Sequence, residues 1–202
     1  MSKRRKKKKR GCVVPVIITL VFVLLVALFV FTDLFSQIRL SIEHQIYPLK
    51  YEKEILSAAE DNNIEPELLC AVIYAESKFN ENATSSVGAR GLMQIMPETF
   101  AWLTANSEKS YTADDLYDPL VNIEYGAKYL GDLYAHFGDI YTACAAYNAG
   151  SGTVEQWLSD EEYSDDGVTL SYIPYGETSG YVENIKNYTL KYNELYFENN
   201  QY

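Results

Sequence analysis

The stretch "LLCAVIYAESKFN", residues 68–80, carries a carboxylate inside an otherwise apolar helical pattern. Leu69, Val72 and Ile73 define a stripe, and Glu76 falls four residues after Val72 and three after Ile73, on the same side. A carboxyl group held against aliphatic neighbours loses hydration, so its charged form is disfavoured and its pKa rises. A protonated carboxyl near neutral pH is what general-acid catalysis requires. Periodicity alone leaves a second reading open, in which the stripe ends one turn early and Glu76 lies at its rim. Three later stretches hold further groups able to bind a polar ligand. "ARGLMQIMP", residues 89–97, presents Met93 and Gln94 after a glycine. "AAYNAGSG", residues 145–152, presents Tyr147 and Asn148 at a helix end, and "ETSGYVENI", residues 177–185, presents Tyr181. Aromatic faces, an amide and a hydroxyl suit a sugar-binding groove. Each is equally compatible with packing or capping when taken singly.

Other chemistries find little support. The chain has two histidines, His44 and His136, and three cysteines, Cys12, Cys70 and Cys144, with no CxxC or Cys/His metal spacing. A zinc site is therefore not expected, and His44 and His136 read as surface or packing residues. Cys70 and Cys144 fall in helical patterns; a disulfide between them and a pair of buried free thiols both remain open. The acidic stretch "SDEEYSDDG", residues 159–167, lacks the spacing of an EF-hand loop and reads as a solvated loop. Glu81 and Glu98 read as a loop acid and a helix-start acid.

The elements that must position these groups are helical. Tyr51, Ile55, Ala58, Ala59 and Asn62 share one face. Pro66 and Pro97 sit where helices begin. The segment "DPLVNIEYGAKYLGDLYAHFG" places Leu120, Ile123, Ala127, Leu130, Leu133 and Phe137 near helical spacing. "DIYTACAAYNAG" reads as a shorter helix ended by Gly150, and a last helix is expected over about residues 179–197. No alternating strand pattern or internal repeat stands out, so the expected fold class is all-α.

The N-terminal part differs in kind. Residues 3–10 are all basic, and residues 12–31 carry no charge. Twenty helical residues span about 30 Å, the thickness of a bilayer's hydrocarbon core. The expected organisation is a basic cytoplasmic tail over 1–11, a transmembrane helix over 12–32, a juxtamembrane connector over 33–47 and one helical domain over 48–202. A cleaved secretory signal fits less well, because the apolar run is long and no A-x-A-like site follows it. Cys12 precedes the apolar run, which argues against a lipoprotein signal. The basic cluster should stay cytoplasmic, with the domain on the outer side. The formal net charge is −11, and the eight cations of residues 3–10 leave −19 for the rest. Beyond its first ten residues the chain has no basic nucleic-acid footprint, so no nucleic acid partner is expected.

The ordered set of Glu76–Ser77, "GLMQIMP", "AYNAG" and "ETSGYVENI" resembles the soluble-lytic-transglycosylase type of bacterial peptidoglycan lytic transglycosylase, on the goose-lysozyme-like branch of the lysozyme superfamily. The resemblance covers about residues 50–195 and implies a lysozyme-like α-helical domain with a groove between lobes. It implies that Glu76 is the single catalytic acid and base, and that Ser77 helps orient the substrate. It matches Met93 and Gln94 to groove residues, Tyr147 and Asn148 to sugar contacts, and Tyr181 to the base of the site. Ser179 and Gly180 depart from the basic or polar pair of many relatives, which puts the groove rim in question. The implied reaction cleaves the β-1,4 bond between N-acetylmuramic acid and N-acetylglucosamine and forms a 1,6-anhydro sugar. The implied partner is the peptidoglycan glycan strand, reached from the membrane, with no metal or organic cofactor. Partners in the cell envelope are not identified by the sequence. Two alternatives stand beside this one: a hydrolytic muramidase on the same fold, and a non-catalytic wall-binding scaffold.

Overall fold

The computed structural model describes residues 13–198. The expected basic tail and Cys12 lie outside the described residues. The chain divides into two compact units between Ile46 and Tyr47. The first is one helix, α1 (Val13–Ile46). It includes most of the apolar run and continues through nearly all of the expected connector. Its segment Ile17–Ile46 is long and apolar enough to cross a membrane, and none of it is buried within the protein.

The second unit contains α2 (Glu52–Asp61), α3 (Pro66–Ser77), α4 (Pro97–Leu103), α5 (Pro119–Phe137), α6 (Ile140–Ala149), α7 (Ser151–Leu158) and α8 (Gly176–Tyr192). A 3₁₀ turn at Ala113–Tyr117 precedes α5, and a π-helical turn at Asn193–Phe197 follows α8. Among the described residues there is no β-strand, only isolated bridges from Arg90 to Thr84 and to Ile95. The mainly α fold expected from the sequence is the fold observed.

Helix α3 is the centre of this unit. Every residue from Leu68 to Tyr74 is buried, so the helix has no solvent face over two turns. The expected three-residue stripe was too narrow. Pro66 sets the φ of the first turn, and Glu65 before it is extended, as a residue preceding proline prefers. The helix stops where Lys78 and Phe79 both take left-handed φ, at 52° and 60°. The Phe79 side chain then folds back into the core.

Helices α5, α6 and α8 build the walls. Asp118 caps α5 by accepting from the Leu120 amide at 2.9 Å, directly before Pro119. Asp139 caps α6 by accepting from the Thr142 amide at 2.7 Å. Ala143, Cys144, Ala145 and Ala146 are fully buried. Their small side chains let α6 approach α5, α7 and α8 closely. Gly150 ends α6 and starts α7 at φ 89°, a conformation that L side chains rarely adopt. Leu120 departs from the expected apolar face: it is 53% exposed. It lies in the first turn of α5 and lines an open cleft with Lys53 and Glu54 of α2. The last helix starts three residues earlier than expected, at Gly176, and gives way to the π-helical turn after Tyr192.

Candidate active site

Glu76 occupies the last turn of α3, where the buried helix emerges. The Tyr181 hydroxyl, from α8, donates to its Oε1 at 2.8 Å. Burial pushes the Glu76 carboxyl up to about 7, and the Tyr181 bond offsets part of that rise. The C-terminal end of α3 acts in the same direction as burial, because its unpaired carbonyls disfavour a nearby negative charge. Glu76 is therefore poised between acid and base near neutral pH.

The phenols around it stay protonated. Burial raises the Tyr181 and Tyr147 hydroxyls well above their ordinary value, and the charge of Glu76 raises them further. Tyr147 projects from the last turn of α6 and donates to the Met93 carbonyl at 2.8 Å. Its ring meets that of Tyr129 of α5, with centroids 5.2 Å apart. The next residue, Asn148, is exposed, and its Oδ1 accepts from the hydroxyl of buried Thr178 at 2.8 Å. That bond leaves the NH₂ group as the end of the amide able to donate to a ligand.

Met93 is placed differently from the expectation that it lines a groove, whereas Gln94 is partly exposed. The Met93 side chain is fully buried and packs beneath α5, where a Cβ on Gly126 would come within 2.4 Å of its sulfur. It has no exposed surface to offer a ligand. Its part in the site is to hold a backbone carbonyl under Tyr147. Gln94 has φ 49°, and its amide nitrogen donates to the Gly91 carbonyl at 2.8 Å and the Ala83 carbonyl at 3.1 Å. It braces the loop. Ser77 is partly buried and donates to the Ile73 carbonyl at 3.2 Å, within α3. Tyr181, Tyr147 and Glu76 are thus brought together, and Asn148 lies beside them on α6. Ser179 is exposed, and a Cβ on Gly180 would meet open space.

Three supporting residues were not singled out in the sequence. Asn122 is fully buried on α5: its Oδ1 accepts from the Met93 amide at 2.7 Å, and its Nδ2 donates to the carbonyls of Leu116 at 2.8 Å and Arg90 at 3.0 Å. Gly126 leaves room for Met93, and Thr178 orients Asn148. An amide and a glycine on the inward face of an amphipathic helix were the available signals for the first two. The acids set aside as structural behave so in part. Glu81 accepts a hydrogen bond from Tyr51. Glu98 lies in the first turn of α4 and also faces a cavity. Cys70 and Cys144 are buried free thiols, and burial pushes the Cys144 thiol up to about 12. No group of three or more His, Cys, Asp or Glu among the described residues could hold a metal ion.

Residues 53–168 match the model of the Transglycosylase SLT domain. The chain belongs to the SLT transglycosylase family. This SLT chain is 36% identical over 155 residues to the soluble lytic murein transglycosylase of Salmonella typhimurium, covering 72% of itself and 23% of that relative. It is 37% identical over 110 residues to the membrane-bound lytic murein transglycosylase F of Maricaulis maris, covering 51% of itself and 22% of the relative. Its fold matches the X-ray structure of lytic transglycosylase Slt from Pseudomonas aeruginosa, determined as an inactive glutamate-to-glutamine variant. That match has a TM-score of 0.65 and 31% identity, over 75% of this chain and 25% of the other. The SLT chain thus spans about a quarter of the length of these relatives.

Proposed function

We propose that this protein is a membrane-anchored lytic transglycosylase, with α1 as an uncleaved single-pass anchor, the N-terminus cytoplasmic and the SLT domain on the wall side. The observation that carries the reading is the single carboxyl group of Glu76, half-buried, held by Tyr181 and raised to about 7 by burial. No second carboxylate is among the causes of its shift. Ordinary glycoside hydrolysis uses two carboxylates that flank the scissile bond. One suffices when the nucleophile is part of the substrate and is already held at high effective concentration.

In this mechanism protonated Glu76 gives its proton to the glycosidic oxygen between N-acetylmuramic acid and N-acetylglucosamine. The Glu76 carboxylate then takes the proton from the muramoyl C6 hydroxyl as that oxygen attacks the anomeric carbon. The C1–O4′ bond breaks, a C1–O6 bond forms, and the product is a 1,6-anhydromuramoyl end. Tyr181 steadies Glu76 through the charged stage, because its hydrogen bond favours the carboxylate. Asn148 donates to the sugar near the reacting bond. A pKa of about 7 suits a group that must act as acid and then as base in one cycle. The Pseudomonas relative is inactive when one glutamate is replaced by glutamine, which supports an essential glutamate here.

The test is digestion of purified peptidoglycan by the full chain, with products identified by mass. Anhydro ends, absent with Glu76→Gln, are expected. Reducing ends in their place would make the protein a muramidase. Wall binding without any cleavage would make it a scaffold.

A further inference from the structure

Residues 47–51 open the second unit and are tied down at both ends. The Tyr196 hydroxyl donates to the Tyr47 carbonyl at 2.7 Å, and the Tyr192 hydroxyl donates to the Pro48 carbonyl at 3.1 Å. The Tyr47 ring packs against Tyr74 of α3, with centroids 5.0 Å apart. At the other end, Lys50 Nζ donates to the Phe79 carbonyl at 3.2 Å, and the Tyr51 hydroxyl donates to Oε2 of Glu81. The bond to Glu81, then burial, push the Tyr51 hydroxyl up to about 12, so it remains a donor near neutral pH. Phe79 and Glu81 belong to the corner that follows α3, three and five residues after Glu76. That corner carries two successive left-handed residues, Lys78 at φ 52° and Phe79 at φ 60°. Residues other than glycine resist this conformation, which persists only where neighbours hold it. The buried Phe79 ring, 6.1 Å from that of Tyr192, holds the corner from inside the core. Lys50 and Tyr51 hold it from outside.

We propose that Lys50 and Tyr51 are positioning residues for Glu76: by clamping Phe79 and Glu81 they fix the last turn of α3 and keep its carboxyl in the dry place where Tyr181 meets it. The inference rests on the lytic transglycosylase reading and adds to it. Without the clamp the corner relaxes towards ordinary φ, and the last turn of α3 frays. Water then reaches the Glu76 carboxyl, its charged form is favoured, and its pKa falls. The titratable groups that face Glu76 are Tyr181 of α8 and Tyr147 and Cys144 of α6, all raised by burial and neutral near pH 7. Changes at Lys50 or Tyr51 leave those groups in place. Removing the Lys50 cation would by itself raise the pKa of a nearby acid, and losing the Tyr51 hydroxyl changes no charge near pH 7. A downward shift of Glu76 is therefore the mark of lost positioning.

The experiment uses the full chain in detergent micelles, acting on soluble glycan strands. The double variant Lys50→Met with Tyr51→Phe is expected to lower kcat about tenfold with KM unchanged. Its alkaline limb in the pH–rate profile is expected to move to lower pH. Each single variant should show a smaller change of the same sign, and Lys50→Arg, which keeps a donor, should restore most of the Lys50→Met loss. The carboxyl ¹³C resonance of Glu76, assigned with Glu76→Gln, should titrate at lower pH in the double variant, a readout that needs no turnover. A limb and a resonance that stay in place in the folded variants overturn the proposal. So does a loss of kcat that only follows a loss of Tm. Should the double variant fail to fold, the single variants decide by the same readouts. Failure of the native chain to cleave overturns the parent reading instead, and the Glu76 resonance still decides the clamp.

Discussion

The hydroxyl of Tyr181 on α8 donates to Oε1 of Glu76 on α3 at 2.8 Å, joining residues 105 positions apart. This bond ties the end of the central helix to the early turns of the last one. It favours the carboxylate, whereas burial favours the acid. In Tyr181→Phe the opposing bond is gone and the Glu76 pKa rises further. The alkaline limb of the pH–rate profile is expected to move to higher pH, with kcat falling about tenfold. An unmoved limb would mean that Tyr181 does not set the protonation of Glu76.

Glu76 itself links pH to stability. Burial pushes its pKa from an ordinary 4.5 to about 7 in the folded chain. Between those values the folded state holds a proton that the unfolded state has released. The benefit is full below the unfolded pKa and is lost as pH rises through 7, by up to about 3 kcal/mol. Glu76→Gln cannot ionise. The native chain should therefore lose Tm relative to Glu76→Gln between pH 5 and pH 8, in parallel melts. The same variant should show no peptidoglycan cleavage while keeping its helical circular dichroism.

Asn122 holds two backbone groups of the loop that carries Met93, the Met93 amide and the Arg90 carbonyl, together with the Leu116 carbonyl of the 3₁₀ turn. Asn122→Ala leaves those groups buried without partners, at about 3 kcal/mol or more. A large fall in the denaturation midpoint is expected, with activity lost in parallel.

Gly126→Ala tests the same support from the other side. The added methyl meets the flexible Met93 side chain, so the fold yields at about 1–3 kcal/mol. The displaced Met93 carbonyl weakens its bond with Tyr147. Activity should fall more than stability does, measured by kcat against the midpoint.

Cys70 and Cys144 are buried thiols, and burial raises both pKa values. Neither should react with a thiol reagent in the native chain at pH 8. Both should react in denaturant without prior reduction, as mapped by peptide mass. Resistance of both in denaturant until a reductant is added would reveal a disulfide.

The sequence by itself determined most of the helices, α7 excepted, because proline starts and a 3.6-residue apolar period are local properties. It also singled out Glu76 as the candidate acid, since Glu76 stands in an apolar helical run and opens an ordered set of motifs. Only the tertiary structure decided how far that run is buried, for burial of Leu68–Tyr74 on every side depends on α2 and α8 packing around α3. Local spacing could not separate a residue that touches a ligand from one that supports it. Met93 and Gln94 stand in the same motif style as Tyr147 and Asn148, yet Met93 is fully buried and the Gln94 amide braces a loop. The pairing of Tyr181 with Glu76, and of Thr178 with Asn148, joins residues that only chain folding brings within hydrogen-bond distance. The carboxyl group is written in the chain; the dry wall and the opposing hydroxyl that tune it come from helices that meet in space.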